Sequence, residues 1–375
     1  MSALENFLQP VEESLIYSRL YSIGHKIRLY RQDQLEENSV VLIGCPDLRG
    51  AGHEKEFSNI KKIREEFYRL TWNDWSFPIY DLGDVIPGES LSDTHFALKE
   101  VLAELFKMKA FPIVLGGNMS LNYAVYEAMR FFDIPLNFTA IDSHIRLLAD
   151  VEQDISEENY LTKMIMEKPS VLFHFANIGY QSYFVSNSTL TALDTVDFEH
   201  YRLGNLTRNL ENAEPVFRSS DFVGINLNSV EYPDENLATE NSSNGFNSRE
   251  ISALARYVGL SAQIKAVGIY NFLGFSRNKM PEKLVSQLLW YLIDGKNQQQ
   301  FYKNEKEEYI KYIVLHEDKE IIFLKDKYAD KWWLAINFES ENTPAMLVPC
   351  SEEDYQSTVE GNLPERYWRT FKRFL

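Results

Sequence analysis

From about residue 38 the chain alternates short, continuous apolar runs with longer stretches whose apolar residues recur at helical spacing. "VVLIGCP" (40–46), "PIYDLGDV" (78–85), "FPIVLGG" (111–117) and "LNFTAID" (136–142) read as buried strands. Between them, "EKEFSNIKKIREEFYRL" (54–70) places Phe57, Ile60, Ile63, Phe67 and Leu70 near helical spacing. "HFALKEVLAELFKMK" (95–109) and "SLNYAVYEAMRFF" (120–132) read as further helices. The alternation resumes with strands in "VLFHFANIGY" (171–180) and "SDFVGINLNSV" (220–230), and the helix "SREISALARYVG" (248–259). The strand "IKAVGIYNF" (264–272) and the helix "PEKLVSQLLWYLIDG" (281–295) follow. Asn247, with Glu250 three residues on, makes a capping box for the helix at 248. Apolar strands alternating with helices predict a mainly parallel sheet covered on both faces, a three-layer αβα architecture.

The pattern changes near residue 296, where "KNQQQFYKNEKEEY" (296–309) is polar and charged. Beyond it, "YIKYIVL", "KEIIFLK" and "KWWLAINF" are separated by charged turns, and "PERYWRTFKRFL" closes the chain. This predicts a small C-terminal β-rich appendage, a meander with a terminal helix. Three segments result: an N-terminal extension of weak helical character (1–37), an α/β domain (38–296) and the appendage (297–375). Trp332, Trp333, Tyr367, Trp368 and Phe371 would form the appendage's own core rather than a protein-binding face. Arg366, Arg369, Lys372 and Arg373 form a basic cluster in an acidic chain, suited to docking on an acidic region of the same chain or of a partner.

Composition narrows the function. The chain carries 38 basic and 55 acidic residues, a net charge of −17. That argues against nucleic acid as a partner and against anionic membrane surfaces. Only Cys45 and Cys350 are present, too few for a disulfide framework. The first residues carry no basic segment leading into an apolar one, and no apolar run is long enough to span a bilayer. The expected location is the cytoplasm, with no membrane insertion.

In an open α/β sheet, ligands bind beyond the carboxyl ends of the strands. Four polar clusters fall there: "GGNMS" (116–120), "DSHIR" (142–146), "NLNSVEYPD" (226–234) and "YNFLGF" (270–275). In the second, Asp142, His144 and Arg146 are spaced to share one face of an extended backbone. An acid and an imidazole there read as metal ligands, but a guanidinium cannot ligate a cation.

These four clusters, in this order over about residues 38–296, resemble the ureohydrolases: arginases, agmatinases and formiminoglutamases. "NIGYQSYFV" (177–185) and "NGFNSREISALARYVG" (244–259) look closest to the formiminoglutamase branch. The resemblance implies the arginase-like fold. It also implies a site in which two Mn²⁺ ions, held by two histidines and four aspartates, activate a bridging hydroxide. Carried over position by position, the ligand set is degenerate. A histidine position falls on Met119, aspartate positions on Arg146, Asn226 and Asn228, and the substrate-binding glutamate position on Asn271. Asp142 and His144 are retained. The region between Ile145 and Phe173, where arginases have a proton-shuttling histidine, holds none.

The formal charge of the shell makes the same point. Asp142 and Arg146 cancel, against the four aspartates that balance two Mn²⁺. A cation about 4 Å from a metal is repelled by several kcal/mol even at an effective dielectric near 20. The resemblance therefore implies a protein without the Mn²⁺ cofactor or catalytic residues. Arg146 is expected to fill the cavity and pair with Asp142. A hydrogen-bonded remnant is favoured over a mononuclear zinc site on Asp142 and His144, because two strong ligands are usually too few. The expected function is that of a pseudoenzyme acting as a binding, scaffold or regulatory protein, with a protein partner or self-association. The alternatives are a formiminoglutamase-like hydrolase of amidine C–N bonds with a rebuilt site, and a non-catalytic small-molecule sensor using the old pocket. His53, His95 and His174 are scattered and read as structural or surface residues.

Overall fold

The structure is a computed structural model that describes residues 6–16, 19–30, 35–53, 56–130, 132–147, 153–232, 239–240, 242–274, 279–303, 308–317, 319–337 and 345–374. The ends of two of the predicted polar clusters, 233–234 and 275, and the side chain of Arg373 lie outside the described residues.

The apolar runs become strands because most of their length is buried, wholly so in Val40–Gly44 (β3) and Phe111–Leu115 (β5). Among the described residues the central sheet has ten strands. In chain order they are β1 (Leu8–Gln9), β2 (Arg28–Leu29), β3, β4 (Ile79–Val85), β5, β6 (Leu136–Ile141), β7 (Leu172–Tyr180), β8 (Glu199–Arg202), β9 (Phe222–Asn226) and β10 (Ala266–Tyr270). The spatial order is β1-β4-β3-β5-β10-β9-β6-β7-β8, with β2 also paired to β4. β3 to β10 are mutually parallel, and β1 runs antiparallel on the edge.

Helices cover both faces, which gives the three-layer αβα arrangement. On one side lie α1 (Ile60–Phe67), α6 (Ser248–Leu260) and α7 (Met280–Lys303), which bury Ile63, Leu254 and Leu288. On the other lie α2 (Leu91–Lys107), α3 (Leu121–Arg130) and α4 (Tyr160–Met166), which bury Leu98, Ala124 and Leu161. The amphipathic α5 (Asn187–Thr195) flanks β8 and buries Leu193. The capping box at Asn247 forms: its side chain accepts from the amides of Arg249 and Glu250, and the Glu250 carboxylate accepts from the Asn247 amide.

Three local expectations change. The helix predicted over 54–70 begins at Ile60 and leaves Phe57 exposed, because the chain first crosses the glycine turn after β5, with Ser58 Oγ accepting from Gly117 N. The N-terminal extension forms the short strands β1 and β2, since the open edge of β4 offers unpaired backbone groups. The helix predicted to end at Gly295 runs on to Lys303, because Gln299 buries itself by donating to the carbonyls of Gly259 and Ser261.

The C-terminal strands β11 (Tyr309–His316), β12 (Lys319–Asp326), β13 (Trp332–Ile336) and β14 (Met346–Cys350) form an antiparallel meander in that order. Phe323, Trp332 and Leu334 are its core, closed by Tyr355 of α8 (Glu352–Val359) and by Tyr367 and Phe371 of α9 (Glu365–Phe374). Trp333 lies under the Arg218 guanidinium at 4.7 Å, and Trp368 is exposed. The basic cluster docks on the chain itself. Arg366 pairs with Asp354, Arg369 with Glu199, and Lys372 with Asp197. Among the described residues no helix is long and apolar enough to cross a membrane.

Candidate functional site

The carboxyl ends of β5, β6, β9 and β10 adjoin, so the four polar clusters meet at one end of the sheet. After β5 the backbone turns through Gly116 and Gly117, both at positive φ (80° and 66°). A Cβ on Gly117 would sit 2.6 Å from the Cys45 carbonyl oxygen, so this turn needs glycine on steric grounds alone. Asn118 is spent on the turn: its amide donates to the Asp47 carbonyl and its oxygen accepts from Ser120 N. Met119 is wholly buried in the apolar layer beneath α2 and α3, its sulfur 3.7 Å from Asn122 Nδ2.

β6 ends at Ile141, so the shared face expected for Asp142, His144 and Arg146 does not form. The chain turns because Asp142 Oδ1 accepts from the His144 amide at 3.0 Å, a local bond that competes with the strand ladder. His144 swings outward and stacks on Phe184, with centroids 4.1 Å apart. Its ring stays 3.9 Å from Asp142. Burial, and then the Arg146 charge, lower its pKa.

Arg146 folds inward, with only 3% of its surface exposed. Its Nε donates to Asp142 Oδ2 at 3.3 Å, Nη2 lies 3.4 Å from Glu157 Oε1, and Nη1 donates to Glu158. Burial opposes the guanidinium charge, but Asp142, Glu157 and Glu158 outweigh it and hold the pKa above its ordinary value. Glu157 is 5% exposed and accepts from Asn271 Nδ2 at 3.0 Å. Burial raises its pKa, against the pull of Arg146 and Asn271.

Asn271 follows β10 in a left-handed conformation (φ 64°). Its Nδ2 also donates to Asn226 Oδ1 at 2.9 Å. That oxygen accepts from the Asn228 amide as well, also at 2.9 Å. Asn228 turns to Thr239 at 3.0 Å and accepts from the Glu240 amide. Asp142, Arg146, Asn226, Asn228 and Asn271 therefore belong to one buried polar network, joined through Glu157, while the side chains of Met119 and His144 sit outside its hydrogen bonds. Among the described residues three of its atoms are buried without a hydrogen-bond partner: Arg146 Nη2, Asn226 Nδ2 and Asn271 Oδ1.

Glu157 is the member that sequence reasoning missed. It stands in "SEEN" (156–159), which reads as a solvated acidic stretch. The available signal was charge balance: a buried arginine facing a single aspartate calls for another carboxylate. Among the described residues, no three His, Cys, Asp or Glu side chains are grouped to hold a metal ion. Of the scattered histidines, His95 is buried and hydrogen-bonded to Ser120 at 3.0 Å, and burial pushes its pKa down to about 4.

Residues 38–254 match the sequence profile of the arginase family. A search of curated protein sequences finds no match. Solved structures similar in fold include formiminoglutamase of Trypanosoma cruzi with Mn²⁺, at TM-score 0.63 and 16% identity, covering 71% of this chain and 97% of that one. Formimidoylglutamase of Bacillus subtilis aligns at TM-score 0.62 and 13% identity, covering 71% and 89%. A hypothetical agmatinase of Burkholderia thailandensis aligns at TM-score 0.61 and 13% identity, covering 76% and 93%. At these identities the likeness is one of fold, and the meander lies beyond the matched residues 38–254.

Proposed function

The chain belongs to the arginase family, and from that premise we propose that it is a member without the family's hydrolytic chemistry, acting by binding as a scaffold or regulatory protein. The observation that carries this reading is the Arg146 guanidinium, buried against Asp142 at 3.3 Å where a ligating carboxylate would belong. A dinuclear manganese centre asks for hard, anionic oxygen ligands and imidazole. The positions hold a thioether in the apolar layer, one carboxylate already bound by arginine, a histidine stacked on Phe184, and two amides. This donor set does not fit the metal pair.

The mutual bonding of the network supports the same reading. Carboxylates at Asn226 and Asn228 would repel Glu157 and Asp142 in a buried place, and amides remove that repulsion. The partner is a protein or a second copy of the chain, acting in the cytoplasm. The two cysteines are buried and unpaired, which accords with a reducing compartment.

Metal analysis and hydrolase assays on the purified chain test this. The expected result is no stoichiometric manganese and no turnover of formiminoglutamate, agmatine or arginine. Retained manganese with turnover would overturn it in favour of an amidine hydrolase with a rebuilt site. The combined variant Met119→His, Arg146→Asp, Asn226→Asp and Asn228→Asp is expected to gain Mn²⁺ binding. A second reading, a small-molecule sensor, is favoured by a cleft of about 300 Å³ lined by Gln181, Tyr183 and Asn244. Gln181 N donates to Ser143 O, which ties this cleft to the loop that carries Arg146. A ligand-induced thermal shift lost on Asn244→Ala would support it.

A further inference from the structure

At the opposite end of the sheet the meander and the α/β body enclose a cavity of about 450 Å³. Its floor comes from Asn137, His174 and Glu199, in the first halves of β6, β7 and β8, and of these strands β6 carries part of the carboxyl-end site at its other end. Asn137 and Asp142 are five residues apart along β6 and its exit, so the two sites are separated by roughly 16 Å.

Three of the four lining residues with a permanent charge are arginines, Arg218, Arg366 and Arg369, which pair with Glu214, Asp354 and Glu365 respectively. The carboxylate among them, Glu199, is already matched, by His174 at 3.4 Å and by Arg369 at 3.6 Å. Burial favours the neutral acid, but its His174 hydrogen bond and the two arginines outweigh it and hold its pKa well below the carboxylate range.

Arg218 is built into place but incompletely used. Its side chain is 8% exposed, Nε pairs with Glu214 at 2.8 Å, and Nη2 donates to the Cys350 carbonyl at 2.9 Å. Its plane is held near the Trp333 ring, and Nη1 has no acceptor among the described residues. Asn137, whose Nδ2 donates to the Ser219 carbonyl, leaves its Oδ1 without a donor. A buried donor and a buried acceptor, both uncommitted and both on residues lining one cavity, are the polar half of a binding site. Trp333, Met346, Leu347 and Val348 supply the apolar half.

We propose that this junction cavity binds a small organic carboxylate with an apolar body and a hydrogen-bond donor beside the acid group. The carboxylate meets the arginines, the donor meets Asn137, and the apolar body lies against β13 and β14. Because both the body and the meander contribute walls, the ligand clamps the appendage onto the domain. The proposal does not depend on whether the site at the carboxyl end is catalytic.

The test is calorimetry and thermal shift on the full chain with mandelate, and with benzylamine as the control of similar size and opposite charge. Mandelate is expected to bind and raise the melting temperature, and benzylamine is not. Arg218→Gln and Arg369→Gln should each weaken mandelate by about tenfold or more. Arg369→Gln keeps the test decisive if loss of the Arg218 bonds unfolds the junction. Phenylacetate, which lacks the hydroxyl, should bind more weakly. Equal binding of the two acids would remove Asn137 from the site. Absence of mandelate binding at millimolar concentration, equal binding of benzylamine, or unchanged affinity in the folded Arg369 variant would overturn the proposal.

Discussion

Arg64 and Arg146 are both 3% exposed, and both face a wholly or almost wholly buried aspartate, yet they are held very differently. Arg64 donates through Nε to Asp81 at 2.8 Å, through Nη1 to Asp84 at 2.7 Å, and through Nη2 to Asp81 and the Gly83 carbonyl at 3.1 and 3.0 Å. Tyr68 adds a hydroxyl to Asp81 at 2.7 Å. Arg146 reaches Asp142 only at 3.3 Å, stands 3.4 Å from Glu157, and leaves Nη2 without a hydrogen-bond partner. Low exposure alone therefore does not reveal what a buried ion pair is for. Around Arg64 every arm of the fork is used, as a structural pair requires. Around Arg146 the fork is a looser fit among three carboxylates, with one nitrogen left unbonded.

The comparison can be broken by mutation. Arg64→Met leaves Asp81 buried without its countercharge and should cost about 3–5 kcal/mol in urea denaturation at neutral pH. Arg146→Met should cost less, about 1–3 kcal/mol, because one nitrogen was already unbonded and Glu157 can take up a proton. Its deficit should shrink as pH falls through the raised pKa of Glu157. Equal costs for the two variants would erase the distinction.

Glu157→Gln sharpens it further. Burial raises the Glu157 pKa above 4.5, so the folded chain binds that proton more tightly than the unfolded chain does. Its contribution is full below pH 4.5 and is lost as pH rises through the folded value. Glutamine should flatten that part of the stability profile while changing neutral-pH stability by less than about 1 kcal/mol. The smallest effect is expected for Glu158→Gln, less than about 1 kcal/mol and reduced by salt, because this carboxylate is half exposed. A larger loss there would mean that Arg146 is held from the surface rather than from within.

Much of this was legible in the chain itself. The continuous apolar runs mark the strands because a strand buried on both faces has no polar side to show. Asn247 and Glu250 mark a helix start because the two side chains cap each other's backbone. The residue types at Met119, Arg146, Asn226, Asn228 and Asn271, where the resemblance places the family's metal ligands and substrate-binding glutamate, are likewise read directly from the chain. What misled was local geometry. The spacing of Asp142, His144 and Arg146 implies one face only if the strand continues, and the aspartate side chain ends it by bonding the His144 amide.

The layered architecture and the family to which the chain belongs are both written in the amino-acid sequence alone. These depend on residue type and on periodicities of a few residues. Folding alone brings Glu157 to Arg146 as a second counter-charge, turns the His144 side chain to Phe184, and docks Arg369 on Glu199 of β8. It alone decided that an arginine-lined cavity lies where the meander meets the starts of the strands. Each of these joins groups that local pattern leaves independent, and their energies depend on burial and distance, which exist only once the chain has folded.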